Sequence, residues 1–591
     1  MGEVPPELDT SLADSLLEHL TAGRVKEALE VTQDNRFHAC LKSNCSDTIA
    51  VVAGFLKTAT FRDNPTLYEA CEEILKTTTS VATPQEVLLE LMVLLETCED
   101  DNLFRSVLKA LQMCLLRLPE NKILSIDHAL EAVYGFVQKL PYAETNGRTS
   151  YTEERQKLLE NGPNITRLLT NYVTLTLFLE PIREEFAKNP PSLQEFQGKT
   201  RRSVLVKFLM NLLGGSFARL HLKAEEKPVN TYTRQCSGFF VESITKLLGG
   251  DPFTILRDIE GRFRWPDRRD AKNHSIFADP ETTSTTSLIV FFYVIFVGKQ
   301  MPLQVPRIYS SVYICEVLLY LVAVGLESDL EEIQMKAVEL LKASLDDLEP
   351  HSLHSNHLEL QIHAKVFLNL TNVMIYCNSE EIRKSSIATF GTYIRKFDDE
   401  GRFLVIEKLF EKYSNDAANF RGFLTTIFKD FVAEILAKGE NRFPLQDKFL
   451  RIMSNLTTLR DKEATDLVQE AEAIISTLNA IRFLAIRDLE NRTEFWKLIP
   501  GIQKGYLDYI RKSMDLGRAH YEAERIRIEK GEDEEVSDKV SVNVMNEEML
   551  PKLTRDQKLF VMNNSLMKLD LIESVLARVN ECLKNAPGVR N

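Results

Sequence analysis

The stretch LMKLDLIESVLARVNECL, Leu566 to Leu583, decides the fold. Leu566, Leu569, Ile572, Leu576, Val579 and Leu583 recur at three- and four-residue steps, the spacing that lines one face of an α-helix. Leu571 and Val575 widen that stripe, and Lys568, Asp570, Glu573, Ser574, Arg578 and Glu581 fall on the other side. A terminal helix with one rich apolar face needs earlier helices to bury it, and its polar face is then a displayed surface. On periodicity alone, this is the end cap of a helical stack.

Upstream, the same grammar repeats. Thr83-Pro84 opens a helix, with Thr83 as N-cap and Pro84 at the first helical position; Pro119 and Pro141 stop the helices before them. From Ser287 onward apolar helices come in pairs separated by short breaks. No clean period emerges, so the expected fold is all-α: an irregular HEAT-like helical repeat solenoid. Pro252 to Thr286 is the longest stretch without helical periodicity. It suggests an N-terminal helical domain over 1–240 and a C-terminal one over 241–591, or else one continuous solenoid with a long insertion. Leu507 to Glu529 is expected as one long helix. Gly531 to Asp538 is an acidic loop, and Val540, Val542 and Val544 form extended chain too short to make a sheet.

Composition narrows the function. The 591 residues are 44% hydrophobic and 27% charged, with a net charge of −14. Such a chain gains no counterion-release affinity for nucleic acid, and it has no long basic run to supply a local patch. Nine scattered cysteines without a CxxC pair suit a reducing compartment. The N-terminus lacks a secretory signal, and Pro6 breaks the myristoylation pattern. The most membrane-like run, Leu288 to Val297, is about half a spanning length. A cytoplasmic protein that neither crosses nor anchors to a membrane is expected.

Chemistry leaves little trace. P-loop, dinucleotide, nucleophile-elbow and HExxH patterns are all missing from the sequence, so neither catalytic residues nor a cofactor or metal is expected. His351, His354, His357 and His363 fall in a serine- and asparagine-rich segment that reads as an ordinary polar loop. Arg518 to Arg525, RAHYEAER, packs aromatic and charged groups densely. On a helix Tyr521 shares a face with Arg525, and Arg518 with Glu522. The pattern fits either a solvated ion-paired face or a contact surface with an aromatic anchor.

LGRAHYEAER (516–525), DLIESVLARV (570–579) and LNAIRFLAIRDLEN (478–491) followed by Trp496 resemble the C-terminal signature of the glomulin family. Weaker similarity runs back through EIRKSSIATFGTYIRKFDDEGRF (381–403), SLIVFFYVIFVG (287–298) and DPF (251–253). The resemblance implies a non-enzymatic, HEAT-like inhibitor of cullin–RING ubiquitin ligases. It would bind the RING domain of the cullin-associated Rbx subunit through a region of about 440–585, covering the surface offered to the ubiquitin-conjugating enzyme. It also implies links to an FK506-binding immunophilin and a receptor tyrosine kinase. The candidate contacts on the last two long helices are His520, Tyr521, Glu522, Asp570, Glu573, Ser574 and Arg578, with Tyr521 as anchor. A HEAT-repeat scaffold for transport or assembly is the alternative.

Overall fold

A computed structural model describes residues 12–34, 37–142, 150–188, 199–225, 231–264, 283–300, 308–413, 417–439, 443–459, 461–530 and 554–584. Among them the chain is all-α, as the periodicity implies, and extended pairing is confined to one isolated bridge between Leu353 and Phe397. The acidic 531–538 segment and Val540, Val542 and Val544 lie outside the described residues.

Local signals set the helix ends. Asn64 accepts from Leu67 N with Pro65 at the first helical position, and Asp100 accepts from the backbone N–H groups of Asn102 and Leu103. Thr83 is the N-cap of helix Pro84–Thr97, as expected, although its side chain makes no capping hydrogen bond. The helices before Pro119 and Pro141 end at Arg117 and Lys139.

The chain divides into two compact units, 1–348 with 365–389, and 349–364 with 390–591. In the first, helices Pro65–Val81, Asp101–Arg117 and Pro163–Phe186 pack in succession, and Arg201–Gly214 lies against Ile123–Lys139, Tyr232–Leu247 and Thr285–Phe296. Each fully buried Leu, Ile or Phe contributes roughly 1.5–3 kcal/mol, so this stacking of apolar faces is the main source of stability. Residue 240 lies inside helix Tyr232–Leu247, where Phe240 meets Phe217 edge-on at 5.8 Å. The Leu288–Ile295 run is buried on every side, and no described helix is long and apolar enough to cross a membrane.

One expectation is corrected. Pro252 to Thr286 is not uniformly aperiodic: Ile255–Arg264 is a helix burying Ile255, Leu256 and Ile259. Its apolar residues keep helical spacing, but the element is only ten residues long and mostly polar.

The second unit contains helices Asp399–Lys412, Ala418–Ala437, Gln446–Leu456, Ala471–Arg487, Asp508–Lys530 and Arg555–Lys584. A π-helical turn, Ile502–Leu507, leads into the penultimate helix. The final helix begins well before Leu566.

Candidate functional surface

The last two helices pack against each other, and the final one also packs on Ala471–Arg487. Three ties fix their antiparallel register. Arg511 Nη2 donates to Asn580 Oδ1 at 2.9 Å, Arg518 bridges the middle, and Arg555 donates to the Glu529 carbonyl. Ile510, Met514, Tyr521 and Ile528 are buried on one helix and Met562, Leu569, Ile572, Leu576, Val579 and Leu583 on the other. Gly517 sits at the crossing, where an added Cβ would lie 3.7 Å from Leu569 Cδ1.

His520, Glu522, Asp570, Glu573, Ser574 and Arg578 are all exposed. Asp570 and Glu573 are joined by one cation: Arg518 Nη2 donates to Asp570 Oδ1 at 2.8 Å and to Glu573 Oε2 at 2.7 Å. Arg518 therefore bridges the two helices rather than pairing along its own with Glu522. Glu522 and Arg578 make no ion pair among the described residues.

Tyr521 does not stand with these residues. It is 9% exposed, and burial, with Asp466 nearby, pushes its hydroxyl up to about 12. The seven-residue spacing Met514–Tyr521–Ile528 places it on the inward stripe, so it supports the surface from below while His520 meets its ring edge-on at 5.3 Å. An exposed anchor must come from elsewhere.

Sequence reasoning missed the exposed apolar side chains Phe560 (67%), Met567 (64%) and Leu571 (53%) on the final helix, together with Leu516 and Ile526 on its partner. Phe560, Met567 and Leu571 are spaced by seven and four, a second stripe on the solvent side. The signal was readable once the helix was extended upstream. Leu571, expected to widen the inward stripe, faces solvent, whereas Val575 is buried.

The other candidate groups have ordinary partners. His351, at φ 60°, lies beside Arg402, His354 beside Asp398, and buried His363 Nδ1 is 2.6 Å from Tyr393 Oη. A cleft of about 660 Å³ in the second unit is lined in part by Arg421, Asp461, Asp466, Glu470 and Tyr506. Two of its carboxylates are engaged: Asp466 accepts from Val468 N and Gln469 N, and Glu470 pairs with Arg421.

The described residues define an all-α helical-repeat protein whose last two helices form a paired-helix face. A family model described as the uncharacterised protein family YAP/Alf4/glomulin matches residues 287–553. Glomulin of Homo sapiens is 26% identical over 513 residues, covering 85% of this chain and 81% of the relative. Glomulin of Mus musculus is 25% identical over 574 residues, covering 95% and 91%. The chain is thus similar to the YAP/Alf4/glomulin family over residues 287–553 and to the two glomulins over most of its length.

Proposed function

We propose that the chain inhibits cullin–RING ubiquitin ligases by binding the RING domain of the Rbx subunit with its last two helices. Bound there, it keeps the ubiquitin-conjugating enzyme from its docking face. Such a mechanism is steric and asks no bond chemistry of the chain, only a stiff surface of matching shape. The observation that carries this reading is the exposed apolar stripe Phe560–Met567–Leu571, rimmed by Asp570, Glu573, Ser574 and Arg578 on one rigid helix. An apolar centre with a polar rim is the usual anatomy of an interface.

In this reading Leu571 and Met567 are the anchors, Tyr521 stiffens the layer beneath, and His520 and Glu522 flank them. An immunophilin of the FK506-binding kind and a receptor tyrosine kinase are further proposed partners, and the cytoplasm is the proposed location. The test is capture of a purified cullin–Rbx module by the full chain and by two variants, Leu571→Ser and the pair Asp570→Lys with Arg578→Glu. Both variants should retain wild-type helicity and lose most of the captured module. Undiminished capture by both would reject this surface.

A further inference from the structure

Helices Ala418–Ala437 and Ala471–Arg487 run side by side in the same direction within the second unit. Arg421 pairs with Glu470 at their starts, and a Cβ on Gly422 would lie 2.8 Å from the Glu472 carbonyl oxygen. Further along, the helices leave a groove of about 350 Å³. Its lining includes the cations Lys429 and Arg482, the polar groups Ser476 and Asn479, and the apolar Phe483 and Ile486. No carboxylate lines it, although the chain as a whole carries a net charge of −14.

The two cations differ. Lys429 Nζ has Asp430 at 3.2 Å, its neighbour in the chain. Arg482 has no hydrogen bond or ion pair among the described residues, and its Nε is buried without an acceptor. An unpaired guanidinium offers N–H donors in a planar fork that suits a carboxylate. The groove also opens onto exposed apolar surface: Ile486, in its lining, is 48% exposed. A free inorganic anion would leave that apolar wall uncovered.

We infer that this groove docks an acidic peptide segment of a partner protein, one in which aspartate or glutamate alternates with apolar residues. Its carboxylates accept from Arg482 and Lys429, and its apolar side chains cover Phe483 and Ile486. This site lies between helices other than the pair proposed to meet the RING, and it does not rest on that proposal.

The experiment follows anisotropy of a fluorescein-labelled, glutamate-rich peptide with interspersed leucines against the full-length chain. No RING protein is present, so the outcome is independent of the ligase reading. Saturable binding that weakens with added salt is expected. The same peptide with every glutamate replaced by glutamine should bind about tenfold more weakly or worse, the loss of charge-assisted contacts. Arg482→Met keeps the aliphatic stem and should weaken binding by a similar factor at an unchanged melting temperature. Lys429→Met, at a more accessible position, keeps the test decisive if the first variant fails to fold. Lys57→Glu, an exposed site in the first unit, should leave binding unchanged. Equal binding of the glutamine peptide, full binding by both methionine variants, or complete displacement by inorganic phosphate alone would overturn the proposal.

Discussion

Gly422→Ala is the sharpest test of how the second unit is packed. A helical glycine replaced by alanine normally gains about 1 kcal/mol, because the backbone has less freedom to lose. At Gly422 the new methyl would stand 2.8 Å from the Glu472 carbonyl oxygen, 2.9 Å from its carbonyl carbon and 3.2 Å from Ser476 Oγ. Ordinary contact begins at 3.4 Å, so the two helices must separate by about 0.6 Å (3.4 − 2.8). The obstruction is backbone, which has no rotamer to escape into. Overpacking of this kind costs about 1–3 kcal/mol; less the gain of about 1 kcal/mol, the net effect is a loss of up to about 2 kcal/mol. Because a chain of two units does not unfold in one step, the assay is hydrogen exchange resolved to peptides of 418–437 and 471–487. Those peptides should exchange faster while helices of the first unit keep their protection. Gly135→Ala is the control: nothing lies within 4 Å of its added Cβ, and it should stabilise its helix by about 0.5–1 kcal/mol. Wild-type or better protection in Gly422→Ala would refute the close approach.

Other outcomes follow from the same contacts. Ile572 is fully buried in the terminal seam, so Ile572→Ala should cost about 2–5 kcal/mol, read as accelerated exchange confined to the last two helices and what they cover. Leu571→Ser, one position away but 53% exposed, should change stability by less than about 0.5 kcal/mol in the same assay while weakening partner capture. For Glu153, burial alone would raise the carboxyl, but hydrogen bonds and charge from Lys157 and Lys223 outweigh it and hold the group at about 2. The folded value is depressed, so its stabilisation is fully present above the ordinary carboxylate range and is lost as pH falls through about 2. Glu153→Gln should therefore flatten the acid side of the first unit's stability curve, measured by exchange or chemical denaturation at stepped pH, and an unchanged slope would contradict the ion-pair assignment.

What could be read from the chain follows from which physical signals are local. Helices announce themselves through period and caps, so Leu569, Ile572, Leu576, Val579 and Leu583 were placed inward correctly. Ile255–Arg264 keeps a clear helical period in Ile255, Leu256, Ile259 and Phe263 and was missed because it is only ten residues long and mostly polar. Tyr521 shows a different limit. An aromatic residue among charges resembles an exposed anchor until its seven-residue partners Met514 and Ile528 are weighed, and which face of that helix is covered depends on elements distant in sequence. The Arg518 bridge to Asp570 and Glu573 is also nonlocal, since nothing along one helix names a partner on the next. The exposed stripe of Phe560, Met567 and Leu571 was legible in spacing, yet its direction was decided only by which face of the helix the neighbours covered.

The central claim is tested most directly by watching ubiquitin chains form in a purified reaction of cullin–Rbx module, conjugating enzyme and full-length chain. The account calls for chain growth to stop near stoichiometric addition, to recover when conjugating enzyme is raised, and to be unaffected by the Leu571→Ser variant. Chain growth at full speed in the presence of folded, excess wild-type protein would contradict it.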